Sequence, residues 1–515
     1  MRGKLAIFVL CFAFALRLFS FLFTAVINQD GVLYIHQARA IYYGLWDSIL
    51  GCGIGYLSNY SIFIVGAYAV VRDWVIAAKS VSLLFGTLTL VPLYLLLREF
   101  FRKQIVFSAC LAFALIPVFV DKSVDVVRDP VYWFFLVFGL YFFVAQIGKR
   151  NRLYLILSSI SLLMAAWARV EAVLFIAVTF IYLVFSREER KAERLSLLAI
   201  PITAAILLCI AGSIVFNIAG DDLLRINEIK SRLSAPLFQY SNLRAELSEL
   251  MNQPPGSTVP GFLHKARNLA WLVALGTIVK YAITAYFYPF FLLVLIGLAG
   301  IWAKVKQDQR ILYLVILSAS ALILLYIQVL QTWMMFNRMF ALFILPSFIL
   351  IGFGIERTIG FLQSKFQLRE YIAITIVCLL MLACALPKSL NPRETDKLVF
   401  KEIGELIAER EGNAQEVKVS TSLPLIRWIS FYANLGYRGA PCPERNYDLV
   451  DSLNRGYDTF VGKLKGRGIQ YVLWDERHWP KGSLESMSAQ GSKDFIRLGD
   501  WSHPDTGKLI LFKVT

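Results

Sequence analysis

The sequence predicts a polytopic α-helical membrane protein with about 11 transmembrane helices and a small external α/β domain at its C-terminus. Three observations predict it. Of the 515 residues, 57% are hydrophobic and 17% charged, against roughly 25% charged in a soluble chain, and mean hydropathy is +0.61. Many apolar stretches approach the ~20 residues that a spanning helix requires. Basic residues recur in the short loops between alternate stretches, as in loops retained on the cytoplasmic side.

In chain order the apolar stretches are 5–26, 80–97, 105–120, 131–147, 153–168, 171–185, 195–215, 281–303, 311–330, 339–355 and 371–386. A formal net charge of +16 does not point to nucleic acid, because it is carried by loops on one side of these stretches. Those loops hold Arg98, Arg102 and Lys103; Lys149, Arg150 and Arg152; Arg187, Arg190, Lys191 and Arg194; Lys304, Lys306 and Arg310; and Arg357, Lys365 and Arg369. With Arg2 and Lys4 they face the cytoplasm by the positive-inside rule. The N-terminus is then cytoplasmic, and an odd number of crossings leaves the C-terminal domain periplasmic or extracellular. The expected location is the cytoplasmic (inner) membrane. The 60–71 segment is apolar but too short to span and reads as interfacial or re-entrant. The stretch 4–25 reads as a retained first helix, its apolar run being longer than a signal-peptide core.

The chain divides into a transmembrane domain, 1–388, with external loops 27–75 and 218–270, and a soluble domain, 389–515. In the first loop, Leu33, Ile35, Ala38, Ile41 and Tyr42 fit one face of a helix lying on the membrane surface. The second runs from Asp221 through Arg244 to the break Pro254-Pro255-Gly256, with helical character on either side of Pro236. Beyond Pro387 and Pro392 a helical 394–410 is followed by strand-like 416–420, 471–474 and 509–514. Five cysteines sit in apolar runs and read as small hydrophobes. Cys52 and Cys442 are external and could pair, although nothing in the sequence brings them together. The four histidines lack metal-ligand spacing, and no Gly-rich phosphate loop or serine nucleophile motif occurs.

Candidate chemistry gathers at the outer ends of the helices. Asp30, in Asn28-Gln29-Asp30-Gly31, follows the first helix and could accept a proton from a hydroxyl or amine; its plainer role is to cap the next helix. The 121–130 loop packs Asp121, Lys122, Asp125, Arg128 and Asp129 before Pro130, which suits Asp129 as an N-cap and Pro130 as a first helical residue. Arg169 and Glu171 interrupt an apolar run at a depth where charge is costly and therefore a candidate for function. Arg338 sits at the outer start of the tenth helix and Lys280 near that of the eighth. Such cations suit a phosphate, and snorkelling to lipid head groups is the simpler alternative.

These residues resemble membrane glycosyltransferases of the GT-C fold, in the group of protein O-mannosyltransferases and the aminoarabinose transferase of lipid A. The elements that carry the resemblance are Asp30 with Tyr34, Ala38 and Arg39; the Arg128-Asp129-Pro130 opening of the fourth helix; Arg-Val-Glu-Ala at 169–172; Arg338-Met339-Phe340 with Pro346; and the external C-terminal domain. The resemblance implies a sugar arriving on a polyprenyl phosphate and moving to a lipid, protein or polysaccharide acceptor. It implies Asp30 and Asp129 as the catalytic acids, Arg169, Arg338, Lys280 and Arg39 on the donor phosphate, and Arg128, Glu171 and Tyr34 in support. Many members have Asp-Glu where this chain has Asp30-Gly31, which removes one possible ligand for a divalent metal ion; no nucleotide cofactor is expected. Competing readings are a transporter or flippase for a lipid-linked or anionic substrate, a polysaccharide polymerase or ligase, and a non-catalytic scaffold. Charges at outer helix ends, rather than mid-helix, favour the enzyme over the transporter.

Overall fold

In the computed structural model the described residues are 4–186, 190–216, 226–250, 259–391, 394–444, 449–487 and 493–515. Arg2, Arg187, Asp221, Pro392 and the Pro254-Pro255-Gly256 break, all noted above, lie outside them. Seven described helices are long and apolar enough to cross a membrane: Lys4–Leu22, the continuous Trp74–Arg98, Asp129–Lys149, Lys191–Gly212, Pro260–Tyr286, Gln309–Thr332 and Glu370–Ser389. Two bent pairs, Tyr288–Leu298 with Ile301–Gln307 and Asn337–Ser347 with Ile349–Phe366, raise the number to nine if each is one span. Shorter apolar helices occupy Asn59–Val71, Lys103–Leu115, Arg152–Ala168 and Val170–Phe185. The described residues form two compact units, one of Met1–Ser20, Ser82–Val124 and Arg128–Asn391, the other of Phe21–Val81, Asp125–Val127 and Pro392–Thr515.

Breaks between apolar helices in the first unit bring its charges to helix ends. Asn151 caps Arg152–Ala168 by accepting from the Leu153 N–H; at Arg169 the backbone turns extended, and a 3₁₀ turn, Val170–Ala172, leads into Val173–Phe185. A second break, at Phe287 with its φ of 67°, ends the 28-residue helix Val259–Tyr286. That helix begins inside the stretch read as an external loop, where His264, Lys265 and Arg267 dilute the hydropathy of its first turns. Likewise Ile226–Leu250 runs as one helix through Pro236.

Within the second unit, Gln29–Tyr43 forms the helix expected of the first loop. Asn28 caps it by accepting from the Gly31 N–H at 2.8 Å, Asp30 lies in the first turn where an acid complements the helix dipole, and Gly44 closes it in the left-handed conformation. The C-terminal sheet has the order β1-β2-β4-β3, with β1 Val419–Ser420, β2 Tyr471–Asp475, β3 Phe495–His503 and β4 Gly507–Val514. β1 and β2 are parallel, and the other pairings antiparallel. Phe460, Leu464, Val472, Trp474, Ile510 and Phe512 are among the buried residues of the core beneath it. β3 was not expected from the sequence. It is an edge strand in which only the two end residues are buried, so no run of apolar residues betrays it.

Candidate active site

Three of the sequence candidates meet in the first unit. Asp129 opens the helix Asp129–Lys149, and Arg128, not Asp129, occupies its N-cap position. The Asp129 carboxylate is engaged elsewhere: Arg169 donates to it through Nη1 at 2.5 Å. Arg169 also grips Glu171 with two bonds, Nη2 to Oε1 at 3.1 Å and Nε to Oε2 at 3.4 Å. A charge-assisted bond to a guanidinium outweighs a cap to a backbone N–H, which accounts for the difference from the capping role. The three side chains are 9%, 3% and 7% exposed for Arg169, Asp129 and Glu171, and the Tyr132 ring lies 5.8 Å below the guanidinium. All three guanidinium nitrogens are therefore committed to carboxylates.

A second locus in the same unit gathers Lys280 and Arg338. Lys280 is exposed, and it lies within the helix Val259–Tyr286 rather than at a helix start. One turn on, Thr284 donates to the Asn337 side chain at 2.9 Å, and Tyr281 stacks on Phe340 at 6.5 Å between centroids. Arg338 is thereby held beside the Lys280 turn, on the 3₁₀ segment Asn337–Phe340, against which Pro117–Lys122 also packs. The two cations thus sit on neighbouring segments of the first unit, one exposed and one half-buried.

Asp30, Tyr34 and Arg39 share the Gln29–Tyr43 helix in the second unit. Tyr34 is buried edge-on against Tyr60 at 5.4 Å. Arg39, 2% exposed, donates to the carbonyls of Asn434, at 2.9 Å, and Tyr437. It thus anchors the helix to the C-terminal domain, and burial lowers its guanidinium to about 10. Nearer the N-terminal end, Gln29 donates to the Pro424 carbonyl at 2.6 Å, and the Trp428 indole donates to the Ile27 carbonyl at 2.8 Å. The Asp30 side chain, 49% exposed, is reached by Arg427 at 3.5 Å, and the same Arg427 pairs with Glu444. Two residues before Glu444, Cys442 forms a disulfide with Cys52, their Cα atoms 5.5 Å apart. The pairing left open by the sequence is therefore made. Arg427 and Glu444 themselves escaped the sequence reading; the two external cysteines were the available signal, since pairing them carries residue 444 to the first loop.

The departure from Asp-Glu also has a steric cause. A Cβ on residue 31 would lie 2.7 Å from both Cβ and the carbonyl oxygen of Val126, closer than real Cβ contacts come. Asn28 draws that segment in, donating to Asp125 from its amide Nδ2 at 2.9 Å and from its backbone N–H at 3.3 Å. Only glycine fits at 31.

Among the described residues, Asp396, His503 and Asp505 place three potential metal-ligand atoms within 4.8 Å of one another. The protonation pattern opposes a metal there. His503 Nδ1 accepts the backbone N–H of Asp505 at 3.1 Å, which leaves the ring proton on Nε2, 3.5 Å from Asp396. A nitrogen carrying that proton has no lone pair for an ion.

The sequence model of the family described as dolichyl-phosphate-mannose-protein mannosyltransferase matches residues 60–216, less than half of the chain. No curated protein matches the sequence. Solved structures similar to it over nearly all its length include the oligosaccharyltransferase of Archaeoglobus fulgidus, with TM-score 0.58 and 13% identity, covering 98% of this chain and 74% of that one. ArnT from Cupriavidus metallidurans, determined with bound undecaprenyl phosphate, has TM-score 0.58 and 11% identity, covering 100% and 98%. The mycobacterial arabinofuranosyltransferase AftD has TM-score 0.56 and 14% identity, covering 100% of this chain and 42% of that one. The chain has the GT-C fold, with a multi-pass helical part and a small C-terminal α/β domain.

Proposed function

We propose that the protein is a membrane glycosyltransferase that moves a sugar from a polyprenyl-phosphate-linked donor to an acceptor at the outer face of the cytoplasmic membrane. The observation that carries the reading is a half-exposed acid, Asp30, at the N-terminus of a surface helix, in a chain whose fold is that of enzymes of this chemistry. Asp30 accepts the proton of the acceptor hydroxyl or amine as it attacks the anomeric carbon. Negative charge then grows on the departing phosphate, and fixed cations stabilise it. Lys280, exposed on its helix, and Arg338, on the neighbouring 3₁₀ segment, suit that role. Arg169, with each nitrogen bound to an acid, instead holds Asp129 and Glu171 in place, and Arg128 and Tyr34 support the two acid-bearing helices.

The test is transfer in purified, lipid-reconstituted protein. Radiolabelled polyprenyl-phosphate sugars are the donors, a membrane extract supplies acceptor, and wild type is compared with Asp30→Asn. Loss of transfer in a folded variant that still binds donor supports the reading. Undiminished transfer removes Asp30 from the chemistry, and no transfer from any donor by wild type removes the reading itself.

A further inference from the structure

The hairpin of β3 and β4 carries an open groove of about 810 Å³, whose lining includes Glu476, Asp500, Trp501, Ser502, His503 and Lys508. The C-terminal domain alone builds it. Its walls are fixed by backbone bonds: the Glu476 N–H donates to the Lys508 carbonyl at 3.0 Å and the Arg477 N–H to the Thr506 carbonyl at 3.3 Å. Arg477 Nη1 also donates to the Asp505 carbonyl at 3.0 Å, and Glu476 Oε2 accepts the Lys508 N–H at 2.9 Å. The half-buried Trp501 ring reaches across Gly499, where a Cβ would stand 2.6 Å from Cη2, so only glycine leaves room for it.

Among the described residues, three polar groups of this lining make no hydrogen bond: the Trp501 indole N–H, the Ser502 hydroxyl and Glu476 Oε1. The Trp501 ring also stacks on no other ring among them. The charges are balanced. Asp500 accepts from Arg497 Nε at 2.6 Å and from its Nη2, and the Lys508 ammonium, the one cation of the lining besides His503, lies 3.5 Å from the same carboxylate. A ligand of either net charge gains little from such a surface. A membrane surface would call for apolar or basic residues, and the groove offers one aromatic ring among acids. What matches it is a neutral molecule with an apolar face for the ring and hydroxyls that donate to Glu476 and accept from the indole, with Ser502 able to do either. A pyranose has those two sides.

We infer that this groove is a saccharide-binding site, with Trp501 as its stacking platform and Glu476 and Ser502 as its hydrogen-bonding groups, and that it takes a neutral sugar residue of the acceptor. The inference deepens the glycosyltransferase reading by making the acceptor a glycan, and it rests on that reading for the acceptor role only. A polyprenyl-phosphate donor suits the groove less well, because its sugar adjoins an anionic phosphate and Lys508 is already shared with Asp500.

The experiment presents the full-length protein in lipid nanodiscs to an array of immobilised neutral and anionic glycans, with empty nanodiscs as control, and measures Kd for those that bind. Neutral glycans are expected to bind, and Trp501→Ala to weaken them about tenfold. Trp501→Phe, which keeps a ring, loses less. Glu476→Gln, which keeps the size of the side chain and an oxygen for the Lys508 N–H, is expected to weaken them about threefold to tenfold, and it tests the groove even if Trp501→Ala loosens the hairpin. In the transfer assay Trp501→Ala raises the KM for acceptor and not that for donor. No glycan binding by wild type, binding of anionic glycans only, or binding that Trp501→Ala and Glu476→Gln leave unchanged overturns the inference, and an unmoved acceptor KM overturns the acceptor role. Trp501-dependent binding in a protein that transfers no sugar keeps the groove and discards the glycosyltransferase reading. Transfer without glycan binding does the reverse.

Discussion

The molecule contains two clusters of one composition, an arginine between two carboxylates, and they differ in what surrounds them. Asp129, Arg169 and Glu171 are each less than one-tenth exposed, and the guanidinium spends all its nitrogens on them. Asp30, Arg427 and Glu444 lie in partial solvent, with Asp30 half open. Burial decides what the same three groups can do. In the closed cluster any unpaired charge is very costly, so the arrangement is held as one unit in which every guanidinium nitrogen is already bonded to an acid. In the open cluster water screens each charge, the pairing adds little stability, and the acid most open to solvent is the one to which the proposed chemistry is assigned.

Breaking the closed cluster should have the largest effect. Arg169→Ala leaves two buried carboxylates without their cation, and the expected loss is about 3–5 kcal/mol of stability, seen as a large drop in unfolding temperature of the detergent-solubilised protein or failure to accumulate. Arg169→Lys should rescue little, because one ammonium cannot supply a two-bond grip on Glu171 together with a bond to Asp129. A variant as stable as wild type would show that the comparison misjudges the closed cluster.

The open cluster should respond in rate rather than stability. Asp30→Asn keeps size and hydrogen bonding, and the expected cost in kcat is about 10²–10⁴-fold, the usual range for a removed general base. Its unfolding temperature should hold, since exposed ion pairs contribute about 0.2–1 kcal/mol. Equal loss of rate and stability would erase the distinction between the clusters.

A pH titration sharpens the comparison within the open cluster's own helix. His36, six residues beyond Asp30, is 2% exposed and its Nε2 lies 3.3 Å from the Ser48 carbonyl. Burial lowers it to about 4 from an ordinary 6.5, with a smaller opposing contribution from that carbonyl. The unfolded chain binds this proton below pH 6.5 and the native chain only below about 4. Its stabilising contribution is therefore complete above pH 6.5 and is lost as pH falls to 4, an expected decline of about 3 kcal/mol. His36→Gln should flatten that limb of the stability profile.

How much of this could be read from sequence follows from which interactions are local. Apolar runs, the helical pattern of 31–43 and the charges at the break around 169–171 depend on neighbours within a few residues, so the membrane fold and the Asp30 helix were legible, although its cap is Asn28 and not Asp30 as expected. The Arg169–Glu171 grip is two residues long, but its third partner, Asp129, lies 40 residues away, and no periodicity predicts that Arg169 is fully occupied. Arg427 lies 397 residues from Asp30. No pattern in the sequence marks that pairing; Cys52 and Cys442 alone hinted at which distant segments meet. The polar edge strand β3 and the diluted first turns of Val259–Tyr286 were missed for a different reason, since in each the average composition hides the element.

The smallest expected effect concerns an open cation rather than an open acid. Lys280 is exposed, with its ammonium 5.5 Å from the Tyr281 ring centroid, and a side chain so placed contributes little to folding. Lys280→Ala should therefore change stability by no more than about 0.5 kcal/mol. If its charge steadies the donor phosphate, the KM for a polyprenyl-phosphate sugar should rise by up to about tenfold, roughly 1.4 kcal/mol, with kcat falling less, because phosphate is charged before as well as during transfer. Lys280→Arg should recover most of the loss, since what is lost is charge near the phosphate and a guanidinium supplies it. A KM that does not move would shift the phosphate role to Arg338, whose place on the 3₁₀ segment is more tightly held by the Thr284–Asn337 bond.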